Sequence, residues 1–173
     1  YIKTSNDISI LEEVINGTSL IDRLEIAFHV PPARLDNELV YTTDELRGID
    51  FGFRDVITIT GDLCFPSILK YRASVQLAEL FEKLNNSYKA EKYRAIAEKL
   101  KLAIPATFLD VRGLLHASTG KGNQGDVWSS ALAVYYNILD EKNSALVSKC
   151  LAEAYTNETL AYRGNIRHIL TSD

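Results

Sequence analysis

Methionine is missing from all 173 residues, position 1 included, so the chain reads as a portion of a longer protein, cut at both ends or mature at one. Cysteine is scarce, with Cys64 and Cys150 the only two. Both fall in helical patterns, where buried thiols are expected rather than a disulfide, and two thiols alone cannot make a metal site. No set of His, Cys and Asp has metal-ligand spacing either, and no cofactor is expected. No apolar run reaches the roughly 18 residues of a membrane-spanning helix, so no membrane partner is expected. The opening "YIKTSNDISI" lacks the layout of a signal peptide. The compartment of this soluble chain, cytoplasm or periplasm, stays open. Positive charge is not in excess. Lys and Arg number 19 against 23 Asp and Glu, giving a net charge of −4, which argues against a nucleic-acid partner.

What is present suits a globular domain. Hydrophobic residues make up 46% and charged residues 24%, an ordinary soluble balance, and a chain of this length buries a real core. Residues 7–28 place Ile8, Leu11, Val14 and Ile15, then Leu20, Ile21, Leu24 and Phe28, at helical spacing. Asn16–Gly17 interrupts them, and Thr18 or Ser19 can cap a restart. Pro31–Pro32 ends that helix. "ELVYTT" (38–43) is extended, and 44–62, with three glycines, is a long structured loop. A helix over 63–84 carries Pro66 in its first turn, where no N–H is needed. A second covers 88–108, bent or ended by Pro105. "GLLHAS" (113–118) is strand-like, and "TGKGNQG" (119–125) is a loop. A third helix over 127–139 is apolar nearly all round, and is expected to be buried all round. An amphipathic fourth covers 142–155, and 158–170 is extended again.

The chain echoes itself. "GDLCFPSILKY" (61–71) and "GDVWSSALAVY" (125–135) match at a 64-residue offset. The repeating unit is a loop, an inner helix, an outer helix and a short strand, which predicts a predominantly all-α fold of helical hairpins in a toroid. The two inner helices then run parallel, and their preceding loops open on one end. Helix N-termini bring partial positive charge there. That end gathers Asp44, Glu45, Asp50, Arg54, Asp55, Asp62, Asn123, Gln124, Asp126 and Trp128. A rim of carboxylates, amides and aromatics suits a carbohydrate, which offers hydroxyls to the polar groups and an apolar face to the rings. The simpler reading is that Asp62 and Asp126 both cap their helices and that Trp128 fills the core.

The stretches "GIDFGFRDVITITGDLCFPSILKYRASVQLAEL", "YRAIAEKLKLAIPATF", "GLLHASTGKGNQGDVWSSALAVYYNIL" and "YRGNIRH" together resemble bacterial six-hairpin, (α/α)6-barrel glycosidase-like proteins, over about residues 44–170. The resemblance implies inverting cleavage of glycosidic bonds by two carboxylates. It also implies six hairpins, of which residues 1–173 hold about three. The remaining hairpins of the parent chain would then be partners, and this portion alone would be inactive.

An inverting pair stands about 6.5–9.5 Å apart, to admit the attacking water. Asp50 and Asp55 are the candidate catalytic carboxylates; the alternative is that they pair with Arg47 and Arg54 and shape the loop. Arg54, Asn123, Gln124, Asp126 and Trp128 are the candidate substrate contacts. His29 and His116 are expected to be structural. Arg163 and Arg167, beside His168 in "RGNIRH", are expected to pair with surface acids; the alternative is a carboxylated sugar. "GKGNQG" lacks the spacing of a phosphate loop. An epimerase or polysaccharide lyase of the same architecture would lean on His, Arg or Tyr instead. A non-catalytic helical interaction scaffold is the reading from a different class.

Overall fold

The computed structural model describes residues 2–46 and 58–172. Asp50, Arg54 and Asp55 lie outside the described residues. The chain opens with α1 (Ile2–Ser5) and a 3-10 turn (Ser9–Glu12). β1 (Val14–Ile15) and β2 (Thr18–Ser19) then pair antiparallel. The helical run expected across 7–28 is therefore confined to α2 (Leu20–Phe28). Asn16–Gly17 is the reason. Their φ values of 52° and 78° put both in the left-handed region, the two-residue turn that matches the twist of a hairpin. Ser19 caps the restart, its Oγ accepting from Asp22 N at 3.2 Å.

The same device recurs along the chain. β3 (Tyr41–Thr42) pairs with β4 (Gly61–Asp62), and α3 (Cys64–Lys83) follows. α4 (Ser87–Phe108) returns along α3 after a turn with Asn85 at φ 56°. β5 (Leu115–His116) pairs with β6 (Gly125–Asp126), and α5 (Val127–Tyr135) follows, with α6 (Glu141–Thr156) packed on it. β7 (Ala161–Tyr162) and β8 (Asn165–Ile166) form the last hairpin. The chain is helix-rich, and each of α2, α3 and α5 starts from a two-residue strand pair. The extended pieces foreseen between helices are thus hairpin arms that fix where helices begin.

The main core lies between the helices, and a second, smaller cluster holds Leu114, Val127, Ala154, Leu160 and Leu170. Phe81 of α3 stacks on Tyr93 of α4 at 5.6 Å, and Phe28 of α2 meets Tyr93 edge-on at 5.1 Å. Ile68, Leu100, Ile104, Phe108 and Leu115 are fully buried around them. The Tyr93 hydroxyl donates to Glu25 Oε1 at 2.8 Å, and Lys89 Nζ reaches Glu25 Oε2 at 2.5 Å. Helices α3 and α5 lie side by side and parallel. Cys64 and Ser129 are hydrogen-bonded at their first turns, and the Arg72 guanidinium stands 5.6 Å over the Tyr136 ring two turns on.

The repeat has a different register from the one its letters suggest. Ser67 Oγ donates to the Leu63 carbonyl (2.5 Å) and accepts from Val40 N (3.0 Å). Ser130 Oγ donates to the Asp126 carbonyl (2.6 Å) and accepts from Leu115 N (2.9 Å). Cys64 N donates to the Ala117 carbonyl and Val127 N to the His168 carbonyl, both at 3.0 Å. All three correspondences are 63 residues apart, not 64. The structural counterpart of Asp126 is Leu63, and that of Asp62 is Gly125. Asp62 accordingly does not cap α3: Leu63 holds the N-cap position with no side-chain bond. Asp62 instead accepts from Arg34 Nε at 2.7 Å.

Two further expectations change. Helix α5 stops at Tyr135, and Asn137 at φ 54° turns the chain. Nine residues cannot be enclosed all round here. Val127, Ser129, Ser130 and Ala133 are buried, whereas Trp128 and Tyr135 are exposed. Of the two free cysteines, Cys64 is buried and Cys150 only half-buried. Among the described residues no helix is long and apolar enough to cross a membrane.

Candidate functional site

The N-terminal end of α5 collects the polar side chains. Asp126, 2% exposed, caps the helix: Oδ1 accepts from Trp128 N (2.9 Å) and Ser129 N (3.2 Å), and Oδ2 accepts from the Ser129 hydroxyl. A carboxylate buried this far needs such hydrogen-bond partners. These bonds hold it beneath the surface, where it orients the groups above it. His168 is one. Its Nδ1 lies 3.7 Å from Asp126 Oδ1, and its ring sits 4.9 Å from the Trp128 ring, tilted by 40°. The His168 carbonyl also receives the first N–H of α5. Trp128 is 38% exposed and the His168 side chain 37%, so the pair presents a partly open aromatic surface.

Asn123 and Gln124 stand on the exposed rim of the 117–124 loop. Their carbonyls are used internally: the first accepts from His116 Nδ1 at 2.5 Å, the second from Ala117 N at 2.8 Å. The "GKG" portion zips to the preceding loop. Thr60 N donates to the Lys121 carbonyl (3.1 Å), Lys121 N to Thr60 Oγ1 (3.0 Å), and Asp62 N to Thr119 Oγ1 (2.9 Å). A phosphate loop needs those N–H groups for its ligand; here Thr119 N and Lys121 N serve the neighbouring segment. Gly61, at φ 89°, makes the approach possible: a Cβ there would fall 2.5 Å from Thr119 Oγ1 and 2.8 Å from Gly120 N. Lys121 closes the same seam on Asp44 at 2.7 Å.

The other two histidines pack against neighbouring polar groups. His29 faces the Tyr93 hydroxyl at 3.5 Å. Burial and the charges of Lys92 and Lys70 push its pKa below the usual value, against the pull of Glu25 and Glu38. His116 Nε2 lies 3.7 Å from Asp110 Oδ2. Asp110 itself ties a turn, accepting from the N–H groups of Arg112, Gly113 and Leu114. Its burial alone would raise its pKa. The Arg112 side chain and the turn N–H groups outweigh that and hold it low.

No family model matches the chain, and no curated protein matches it. What the site can do rests on its chemistry.

Sequence reasoning placed Trp128 and Asp126 at one end and missed their partner. His168 sits far along the chain, in a segment whose signal was "YRGNIRH". Only the fold of β7 and β8 brings it over α5. The arginines of that segment gather on one aromatic ring. The Arg163 and Arg167 guanidinium groups both stand over the Tyr162 ring, at 5.2 and 5.3 Å. Among the described residues neither forms a salt bridge with a carboxylate. Among the described residues no group of His, Cys, Asp and Glu is placed to hold a metal ion.

Proposed function

We propose that the chain is part of a carbohydrate-active enzyme of the (α/α)-toroid type, a glycoside hydrolase acting by inversion. In this reading α3 and α5 belong to the inner ring, and α4 and α6 to the outer. The remaining hairpins come from the rest of the parent chain. The supporting observation is the Trp128–His168 pair, held over buried Asp126 at the end where parallel helices α3 and α5 begin. An aromatic face beside a hydrogen-bonding ring suits the two sides of a sugar. Asp50 and Asp55 are the proposed catalytic carboxylates, with Arg54, Asn123 and Gln124 as sugar contacts and Asp126 acting from below.

The test uses the only tryptophan in the sequence. Mono- and oligosaccharides titrated into the intact parent protein are expected to change tryptophan fluorescence saturably, in a way that Trp128→Phe removes, and Asp50→Asn and Asp55→Asn are each expected to abolish glycoside cleavage. Unchanged cleavage in both variants would remove the hydrolase assignment.

One feature is compatible with the scaffold reading as well. A groove of about 750 Å³ runs between α2 and α3, lined by apolar side chains including Leu24, Phe28, Leu69 and Leu80. An exposed apolar face of this kind marks a surface meant to be covered. The remaining hairpins of the toroid would cover it in the enzyme, and a separate protein would do so in the scaffold.

A further inference from the structure

Four asparagines stand in the left-handed region: Asn6, Asn16, Asn85 and Asn137, at φ of 55°, 52°, 56° and 54°. After three of them the next backbone nitrogen is already a donor. Asp7 N bonds Ser5 Oγ (3.1 Å), Asn86 N the Phe81 carbonyl (2.8 Å) and Ile138 N the Ala133 carbonyl (3.0 Å). Asn16 differs. Gly17 follows it, in the only Asn-Gly pair of the sequence. Among the described residues Gly17 N donates to no acceptor. Asn16 and Gly17 are both exposed, and nothing lies within 4 Å of where a Gly17 Cβ would stand. A glycine also carries no side chain to shield its own nitrogen. The one asparagine with an open, unengaged nitrogen beside its side-chain amide is therefore at the tip of the first hairpin.

We propose that this turn is a site of self-modification, in which Gly17 N attacks the side-chain amide of Asn16. Asparagine is a thermolabile residue, and this is the route by which it is lost. A bond forms between Gly17 N and Asn16 Cγ, and the Cγ–Nδ2 bond breaks. Nδ2 leaves as ammonia, carrying the proton that Gly17 N gives up. The five-membered imide left behind takes up one water, the only co-reactant. Opening at Cγ gives aspartate at 16; opening at the backbone carbonyl gives isoaspartate. Isoaspartate adds one carbon to the main chain. The register Val14 to Ser19 and Ile15 to Thr18 is set by a two-residue turn, which has no place for that carbon. Ser19 both ends β2 and caps α2 through Asp22 N, so the change reaches the start of α2. Arg23 donates to the Ile15 and Thr18 carbonyls on either side of the turn, so a carboxylate at 16 arises between two residues held by one guanidinium. Aspartate at 16 keeps the hairpin, and isoaspartate opens it.

The experiment incubates the 173-residue chain at about pH 6 and about pH 9 and maps its peptides for aspartate and isoaspartate at 16. A synthetic peptide of residues 10–22 gives the rate without the fold. Conversion at Asn16 is expected to run about tenfold or more faster than at Asn6, Asn85 or Asn137, and faster at the higher pH, because the attacking nitrogen must shed its proton. Asn16→Gln and Gly17→Ala are each expected to slow it about tenfold or more; thermal unfolding checks that both variants fold, and either one suffices. The separated isoaspartate form is expected to unfold at lower urea than the unmodified chain, while Asn16→Asp does not. If the peptide converts and the folded chain does not, the turn shields Asn16 and the proposal is overturned. Silence in both, or conversion no faster than at the other three asparagines, overturns it too. An isoaspartate form with an unchanged urea midpoint overturns the effect on α2 and leaves the modification standing.

Discussion

Gly61–Asp62 and Gly125–Asp126 are the same pair of residues, each closing a two-residue strand before a helix of the same parallel set. Yet Asp126 is sealed beneath its helix, accepting from three donors, whereas Asp62 lies near the surface on Arg34. The difference is a one-residue shift in register. What repeats in space is a serine hydroxyl that bonds back one turn to its own helix and forward to the incoming strand, at Ser67 and at Ser130. That contact fixes the strand against the helix, and the aspartates take whatever place remains. A shared motif therefore reports a shared turn without reporting a shared role.

The largest expected effect breaks the comparison at its buried member. Asp126→Ala removes the acceptor of two backbone N–H groups and a hydroxyl in a dry site, and should lower unfolding free energy by about 3 kcal/mol. Urea titration measures it, and a loss below about 1 kcal/mol would show the cap to be dispensable. Gly61→Ala should come next, at about 2–3 kcal/mol, because its Cβ would meet Thr119 and the Gly120 backbone at a left-handed φ. Gly17→Ala is the control: the same left-handed φ in open space, and about 1 kcal/mol.

Ser67→Ala and Ser130→Ala sharpen the register itself. Each strands one buried strand N–H, of Val40 or Leu115, at about 1–2 kcal/mol. The two costs should agree within about 0.5 kcal/mol if the serines are true counterparts. A large loss at one and none at the other would leave the 63-residue correspondence without energetic content.

The repeat was legible in the sequence because helix starts carry strong local signals: Gly-Asp, a β-branched or aliphatic residue, then a long apolar face. The strand pairs were only half legible. Two-residue strands have no periodicity to read, and Asn16–Gly17 sits between two helically spaced apolar sets, so it reads as a helix break although Asn-Gly is also a hairpin signal. The burial of α5 was misjudged because its apolar letters include Trp128 and Tyr135, while small Ser129 and Ser130 face the core. A serine that satisfies its hydroxyl on its own helix buries as easily as an alanine, and composition does not show this. His168 was illegible as a site residue, since nothing local ties it to Asp126.

The third start, Ser19 before α2, extends the comparison through pH. Among the described residues no helix returns along α2; Glu25 of α2 instead meets Lys89 and Tyr93 of α4. Burial alone would raise the Glu25 carboxyl, but the Lys89 and Tyr93 hydrogen bonds and the Lys89 and Lys92 charges hold it below its ordinary value of 4.5. The unfolded chain therefore binds this proton more readily, and the contribution of Glu25, present above about pH 4.5, is lost as pH falls through its folded value. His29 adds an earlier arm of the same sign. Its lowered folded value makes stability drop once pH falls below 6.5. Urea midpoints should decline in two stages between pH 7 and 4. His29→Asn should remove the first and Glu25→Gln the second; a flat profile over that range would show the α2 contact to be energetically silent.

The smallest effect returns to Asp62. Its bond to Arg34 Nε is short at 2.7 Å, but the arginine side chain is 44% exposed, and such a pair contributes only about 0.2–1 kcal/mol. Asp62→Ala should cost about 0.5 kcal/mol, and about 0.5 M salt should shrink that difference, since exposed charges are screened over a few ångströms at such ionic strength. Arg34 also lies 4.1 Å over the Tyr41 ring, so it keeps a partner when the carboxylate is gone. Asp62→Asn should cost no more than the alanine change, because an amide oxygen still accepts from Nε. A loss at Asp62 as large as that at Asp126, insensitive to salt, would mean that both aspartates hold their helices after all, and that the sequence register outranks the spatial one.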